Sequence, residues 1–165
     1  MILETERLIL SLVEAADAPF ILDLLTSRGF IDNIGDRGVR DLGGALGYVQ
    51  RLRAGYGANG FGMWRCDLKA GGAPAGLCGF VKRDGLAHPD IGYAFLEPFW
   101  GQGYASEAAA ACMDHGRGVL GLTTIVAITS PANLGSIRVL NKIGLRDAGV
   151  VRLPNSGEDC AYFVG

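Results

Sequence analysis

Residues 91–108 read Ile91-Gly-Tyr-Ala-Phe-Leu-Glu-Pro-Phe-Trp-Gly-Gln-Gly-Tyr-Ala-Ser-Glu-Ala108, and they hold the most informative pattern in the chain. A strand is predicted to end near Leu96 and a helix to begin near Gly103. The small residues Gly101, Gly103 and Ala105 keep side chains away from the main chain, so successive N–H groups can converge on an anion. The helix start adds a partial positive charge. The pattern predicts a phosphate or pyrophosphate site built from main chain, and the alternative is an ordinary strand-to-helix turn.

The chain before this stretch is predicted to lead into an antiparallel meander. A strand at Arg7–Val13 is followed by a helix that opens at Asp17 and by a second helix at Asp41–Ala54. A glycine-broken segment from Gly29 to Gly38 separates the two helices. Short apolar runs between glycine turns then predict three strands. These strands cover Phe61–Leu68, Ala75–Lys82 and Asp90–Leu96.

Helices and strands alternate in the rest of the chain. Asn133 is a good helix N-cap, and Gly144 is placed to end the same helix. A meander that feeds alternating helices and strands predicts an α/β fold with a sheet of mixed direction, and the length suits one domain over residues 1–165. The elements are helices at Gly103–Gly118 and Asn133–Ile143 and strands at Thr123–Thr129, Leu145–Val151 and Cys160–Val164.

Composition and charge narrow the functional class. The chain has 165 residues, 49% of them hydrophobic, which is typical of a globular protein. Fifteen basic and 17 acidic side chains leave a net charge of −2, so no nucleic-acid partner is expected. The acidic N-terminus and the lack of a long apolar run predict a cytoplasmic protein with no membrane partner. The four cysteines have no zinc-binding spacing, so reduced thiols and no metal are expected.

The nucleotide-binding alternatives fit less well. No Gly-x-x-x-x-Gly-Lys-Ser/Thr sequence is present, which argues against a phosphate-loop NTPase. Ser106 stands where a dinucleotide fingerprint has its third glycine, and the preceding strand belongs to a meander. A dinucleotide-dependent oxidoreductase is therefore the third choice.

Four segments, in order along the chain, resemble one enzyme family. Trp100–Ala108 resembles the acetyl-coenzyme A motif of the GNAT N-acetyltransferases, Gln/Arg-x-x-Gly-x-Gly/Ala, with tryptophan at the first position as in the branch that contains RimJ and RimL. Leu3–Leu10, Asp90–Tyr93 and Asn133–Leu145 resemble the opening strand, the start of the fourth strand and the Asn-x-x-Ser helix of that branch. The resemblance implies a GNAT fold, with a mostly antiparallel sheet that splays between its fourth and fifth strands and is flanked by helices.

The resemblance implies that acetyl-CoA is the co-substrate. Main chain at Ala94, Phe95 and Leu96 would pair with the pantetheine amides as an added strand does, and one N–H near Phe95 or Leu96 would polarise the thioester carbonyl. The Asn133 side chain would contact the pantetheine arm, whereas the residue pattern alone allows a simple helix cap. The pyrophosphate would be bound by Gly101, Gln102, Gly103, Tyr104, Ala105 and Ser106.

Two residues are the catalytic candidates that the resemblance implies. Ser136 would lie near the sulfur and protonate the leaving thiolate, with a capping role as the alternative. Asp90 holds the position where some family members carry a catalytic glutamate, so it is the candidate general base, with an exposed turn residue as the alternative. Tyr93 is expected in the core or the wall of the site, and Cys78 and Cys112 are expected as core thiols.

The leading hypothesis is an enzyme that moves an acetyl group from acetyl-CoA to a primary amine by direct attack in a ternary complex. The acceptor is a protein N-terminus or a small-molecule amine, and a homodimer is a further expectation from the resemblance. The acceptor side would be formed by Ser27–Gly60, which has no acidic cluster, so a polycationic antibiotic is not favoured. The alternative is a catalytically weak acyl-CoA-binding module that acts as a sensor or interaction partner.

Overall fold

A computed structural model describes residues 1–165, and one eight-stranded sheet forms its centre. The strands are β1 (Leu3–Glu4), β2 (Leu8–Ser11), β3 (Met63–Leu68), β4 (Pro74–Val81), β5 (Asp90–Phe95), β6 (Val126–Thr129), β7 (Arg146–Arg152) and β8 (Asp159–Val164). Their order in the sheet is β1-β2-β3-β4-β5-β6-β8-β7. Every neighbouring pair is antiparallel except β5 and β6, which are parallel. The predicted mixed α/β sheet is confirmed.

Strands β2 to β5 form the meander that the turn pattern predicts. The turn between β3 and β4 contains Gly71 and Gly72, whose φ angles of +85° and +69° lie in the left-handed region that favours glycine. The register then sets Leu77 of β4 opposite Ala94 of β5. Strand β5 is therefore held firmly on one side, and the parallel partner lies on the other.

Five helices cover the two faces of the sheet. They are α1 (Ala18–Thr26), α2 (Arg28–Asn33), α3 (Leu42–Asn59), α4 (Tyr104–Gly118) and α5 (Leu134–Lys142). Helices α4 and α5 pack on one face in a cluster of 18 buried residues that includes Cys112 and Leu140, here named the α4–α5 core. Helices α1 to α3 pack on the other face around Leu77 in a cluster of 11 buried residues, here named the α1–α3 core. Strands β3, β4 and β5 contribute residues to both layers.

The segment before residue 60 differs from the prediction. Helix α2 lies in the stretch that the glycines suggested was irregular, because the Ser27 hydroxyl accepts a bond from the Phe30 N–H and Phe30 is buried. Helix α3 also continues beyond Ala54 to Asn59. Tyr56 holds that last turn, since its hydroxyl bonds to main chain at Val13 and Met63. Tertiary contacts thus override the low helix propensity of glycine here.

The remaining elements follow the predicted order, and their ends move by a few residues. Strand β6 is shorter than expected and begins at Val126, while β7 and β8 form an antiparallel pair at the sheet edge. Helix α5 begins after its predicted N-cap Asn133, and Gly144 follows it with a φ of +89°. None of the helices has both the length and the apolar character needed to cross a bilayer.

Candidate active site

The loop between β5 and α4 presents a run of free main-chain N–H groups. Gly101 and Gly103 have φ angles of +72° and +82°, which turn successive N–H groups toward one side. None of the six N–H groups from Gly101 to Ser106 donates a hydrogen bond within the protein, and the first helical bond joins the Glu107 N–H to the Gly103 carbonyl. Six converging donors at a helix N-terminus favour an anion. Four of these donors, from Gly103 to Ser106, are the N–H groups that the start of any helix leaves unpaired, and Gly101 and Gln102 add two more.

Side chains from the start of the chain fix this loop in place. The Arg7 guanidinium donates to the Gln102 carbonyl at 2.9 Å and to the Glu107 carboxylate at 2.6 Å, and it lies 4.3 Å from the centre of the Tyr104 ring. The Thr5 hydroxyl donates to the same carboxylate at 2.5 Å. Sequence reasoning missed this network, because its partners are about 100 residues apart and no local spacing joins them.

A cavity of about 450 Å³ lies beside the loop. Its lining includes two cations, Arg7 and Lys142, together with Gly103 and Ser106. Lys142 has no carboxylate partner within ion-pair distance, so its charge is available to a ligand. Glu107 also lines the cavity and pairs with Arg7, so the free N–H donors and the Lys142 charge are the groups that favour an anion here.

Strands β5 and β6 separate soon after they meet. Their ladder has one position, Asp90 opposite Val126, where the Val126 N–H donates to the Pro89 carbonyl at 2.9 Å. The strands diverge beyond it, as a sheet that splays between these two strands requires. The side of β5 that faces the gap is therefore available to an added strand-like ligand.

The main-chain groups of β5 are divided between the β4 side and the gap, and this division concerns the three predicted pantetheine contacts, which stay predictions. The Leu96 N–H donates to the Ala75 carbonyl at 2.9 Å, and the Leu96 carbonyl accepts from Phe99. Hydrogen-bonding direction alternates along an antiparallel strand, so the Ala94 main chain also faces β4. The main-chain N–H and C=O groups of Phe95 and Tyr93 point into the gap instead. The Phe95 carbonyl accepts the Trp100 indole N–H at 2.7 Å, which leaves the Phe95 N–H as the donor that faces the gap.

Trp100 also joins the loop to helix α2. Its ring lies over Gly29, where an added methyl group would come within 2.5 Å of the ring carbons. The Glu97 carboxylate accepts the Gly29 N–H at 2.8 Å from the same loop. The unpredicted helix α2 is thus attached directly to the candidate site, and Gly29 permits that close approach.

Ser136 and Asn133 lie together at the start of α5, as their spacing predicts. The Asn133 carboxamide oxygen accepts the Ser136 N–H at 3.1 Å, so the capping alternative describes one role of Asn133. The Ser136 hydroxyl lies 2.8 Å from the Tyr93 hydroxyl, which also contacts the Ser136 carbonyl at 3.1 Å. Burial raises the pKa of Tyr93 to about 12, so this phenol stays protonated and can act as a donor. Sequence reasoning had given Tyr93 no such partner.

Asp90 is buried, with only 2% of its surface exposed, so the exposed-turn alternative is wrong. Its carboxylate pairs with the Arg83 guanidinium. Burial raises the pKa of Asp90 to about 6, although the Arg83 charge and the Ile128 N–H both act to lower it. The Asp90 charge also raises the pKa of Tyr93, so electrostatics couple the two groups. A buried carboxylate that titrates near neutrality is suited to proton transfer.

The cysteines lie away from this chemistry. Cys78 and Cys112 are both buried, with their sulfur atoms 3.6 Å apart, and neither is in a disulfide. Burial raises the pKa of Cys78 well above its usual range, so its thiol is protonated and weakly nucleophilic. No group of three or more His, Cys, Asp or Glu side chains is arranged to hold a metal ion.

Comparison with known proteins assigns the class. The acetyltransferase (GNAT) domain family matches residues 7–146, so the chain belongs to the GNAT acetyltransferase family. It is an acetyl-CoA-dependent N-acetyltransferase, as the motifs predicted.

Individual relatives and solved structures are similar to this chain in sequence or in fold. The uncharacterized protein YkkB of Bacillus subtilis is 36% identical over 109 residues, which are 65% of this chain and 62% of that protein. An acetyltransferase from Agrobacterium tumefaciens has the same fold, with a TM-score of 0.84 and 29% identity over 99% of this chain and 92% of its own. RimL, solved in complex with coenzyme A, shares the fold with a TM-score of 0.86 and 18% identity over 99% and 96% of the two chains.

Proposed function

We propose that this enzyme transfers the acetyl group of acetyl-CoA directly to a primary amine, either a protein N-terminus or a small molecule. The observation that carries the proposal is the run of six free N–H groups from Gly101 to Ser106 beside a gap in the sheet. The free N–H groups suit a diphosphate, and the open side of β5 suits an extended chain of amides. Coenzyme A has both features in one molecule.

The cofactor residues divide by the part of the ligand that they suit. Gly101 to Ser106 would bind the pyrophosphate through main chain, with Lys142 adding positive charge at the adenosine side. The Phe95 N–H would donate toward the acyl carbonyl or a pantetheine amide. The free amide hydrogens of Asn133 would contact the pantetheine arm while its oxygen continues to cap α5.

Bound acetyl-CoA supplies an activated acetyl group as a thioester. In the transfer the C–N bond to the amine forms and the C–S bond breaks, so the amine loses one proton and the sulfur gains one. We assign the first proton to Asp90, which is ionised at neutral pH and lies at the parallel end of the gap. We assign the second to Ser136, whose hydroxyl is held by Tyr93.

Direct transfer also follows from the lack of a suitable nucleophile. Cys78 is buried and protonated, so an acyl-enzyme on this residue is not expected. Initial velocities measured against acetyl-CoA at several amine concentrations should therefore give intersecting lines. Parallel lines would contradict the ternary mechanism.

Release of the CoA thiol, measured with a panel of amines, tests the proposal. Amine-dependent release above the rate of hydrolysis, together with the acetylated product in a mass spectrum, is the expected result. Tight CoA binding without release for any amine would instead indicate the sensor or interaction module. No CoA binding at all would remove the assignment of Gly101–Ser106 as a pyrophosphate site.

A further inference from the structure

The two faces of the sheet carry different elements beside the gap between β5 and β6. The proposed cofactor residues and Ser136 belong to α4, α5 and the loop before α4, on the face of the α4–α5 core. Alternate residues of β5 point the other way, and Ala94 and Leu96 pack against the α1–α3 core. If acetyl-CoA occupies the first face, the amine approaches from the α1–α3 side. The following inference rests on that proposed function and concerns the chemistry of this second face.

Tyr48 of α3 lies at this face in a positive electrostatic environment. Tyr48 packs against the α1–α3 core, and Arg51 lies 5.6 Å from the centre of its ring. The charges of Arg37, Arg51 and Arg83 all act to lower the pKa of Tyr48, against the raising effect of its burial. The three arginines come from three parts of the chain: the segment before α3, α3 itself and the segment that follows β4.

The carboxylates nearby do not balance these charges. Arg83 pairs with Asp90, and the neighbouring Asp36 pairs with Arg40. Arg37 and Arg51 are exposed and have no carboxylate within ion-pair distance. These two unpaired guanidiniums leave a local positive charge on a chain whose net charge is −2. Such a site attracts an anion and repels a polyamine.

We propose that the acceptor amine carries a carboxylate, and that Arg37 and Arg51 bind this carboxylate beside Tyr48 while the amine reaches the gap near Asp90. The planar guanidinium matches a carboxylate with two parallel hydrogen bonds, which fixes orientation as well as charge. The Tyr48 hydroxyl is a further donor to the same group. A free amino acid and an acidic peptide N-terminus both have this chemistry.

Matched pairs of amines test the preference and separate its two sources. Alanine is compared with alaninamide, and the peptide amide Ser-Asp-Glu-Ala is compared with Ser-Gln-Gln-Ala and Ser-Lys-Lys-Ala. A carboxylate raises the pKa of a neighbouring amine, so kcat/KM is calculated per concentration of neutral amine. We expect the carboxylate-bearing member of at least one pair to be favoured roughly tenfold or more. The pair that shows the preference identifies a free amino acid or a peptide as the source.

Two variants connect the preference to the proposed residues. Arg37→Gln and Arg51→Gln should each raise KM for the favoured amine several-fold with little change in kcat, and should leave its uncharged partner unaffected. Arg117→Gln is the matched control, because Arg117 is an exposed arginine without an ion pair near the far end of α4. Equal kcat/KM within each pair, preference for the lysine peptide, or a preference that survives both variants would overturn the inference. In those cases acetyl transfer itself still occurs, whereas absence of transfer to any amine overturns the proposed function as well.

Discussion

At the scale of single residues, Tyr93 and Ser136 form a pair that is suited to proton delivery. Their hydroxyl oxygens are 2.8 Å apart, and the phenol stays protonated at any working pH. A serine hydroxyl alone is a weak acid, and the Tyr93 hydroxyl within hydrogen-bond distance helps to orient it. The thiolate of CoA is a fair leaving group, since a free thiol has a pKa of about 8.5. The pair is therefore expected to assist the reaction without being indispensable.

Ser136→Ala and Tyr93→Phe should each lower kcat by roughly tenfold, less than for general acids that serve poorer leaving groups. Because both residues act on one proton, the double variant should be no slower than the slower single variant. CoA affinity, measured by titration calorimetry, should stay unchanged in Tyr93→Phe. Losses that multiply in the double variant would show that the two residues act separately, and an unchanged kcat in Ser136→Ala would leave it as a helix-capping residue.

Asp90 should give the enzyme a pH dependence that its amide counterpart lacks. In wild type, kcat/KM calculated per concentration of neutral amine should rise with pH through about 6, the pKa of Asp90, because only the carboxylate can accept a proton. In Asp90→Asn this limb should disappear and kcat should fall. A pH profile of the variant that overlies wild type would exclude Asp90 as the base.

The same group also predicts the sign of a stability change. The folded-state pKa of Asp90, about 6, lies above the ordinary value of 3.8, so the folded protein holds this proton over that interval and the unfolded chain does not. The contribution of Asp90 to stability is therefore present below about pH 4 and is lost as pH rises toward 6. Urea unfolding of wild type and Asp90→Asn, measured at about pH 4 and at about pH 6, isolates the stability that Asp90 contributes.

At the scale of elements, local signals and distant contacts differ in what the sequence can predict. Helix α4 begins within one residue of its predicted start, because alanines and a glycine N-cap are local signals. The sequence could not predict which N–H groups of β5 face the gap, since this depends on which neighbouring strand bonds to Leu96. Helix α2 was missed because Gly29 lowers helix propensity, and only the distant Trp100 explains that glycine. The charge of Arg37 likewise reaches Tyr48 through tertiary structure alone.

The loop before α4 can be tested with a single methyl group. At the positive φ of Gly103 a side chain costs about 1–2 kcal/mol, and the added carbon would lie 3.4 Å from the Arg7 guanidinium. Gly103→Ala should therefore raise KM for acetyl-CoA at least several-fold by disturbing the free N–H groups. Gly57→Ala is the control, because Gly57 is exposed inside α3 and its added carbon meets nothing within 4 Å.

The control has an expected effect of its own. Alanine in place of glycine inside a helix stabilises by about 0.5–1 kcal/mol, so Gly57→Ala should unfold at higher urea concentration while KM for acetyl-CoA stays at the wild-type value. A Gly103→Ala enzyme with unchanged KM would mean that the loop tolerates the strain or does not bind the pyrophosphate.

At the scale of the whole molecule, the split sheet separates two tasks. The α4–α5 core supports the proposed cofactor side and the α1–α3 core supports the proposed acceptor side, while β5 contributes to both. Strands β1 to β5 are joined by a continuous antiparallel ladder, whereas β6 to β8 are attached to them through one parallel position. A ligand in the gap would complete the sheet across its weakest junction. Binding of CoA should therefore stabilise the entire fold as well as the loop.

CoA at about 100 times its Kd should add about 2.7 kcal/mol to the free energy of unfolding, which corresponds to a rise in Tm of roughly 5–10 °C for a chain of this size. NAD at the same concentration should give no comparable shift. Amide hydrogen exchange gives the location: CoA should protect Gly101–Ser106 and Phe95, whereas Leu96 should be protected already, because its N–H is bonded to Ala75. New protection at Leu96 with none at Phe95 would mean that the ligand lies on the β4 side of β5 and not in the gap. A shift in Tm without protection of the loop would move the diphosphate elsewhere and remove the observation on which the proposed function depends.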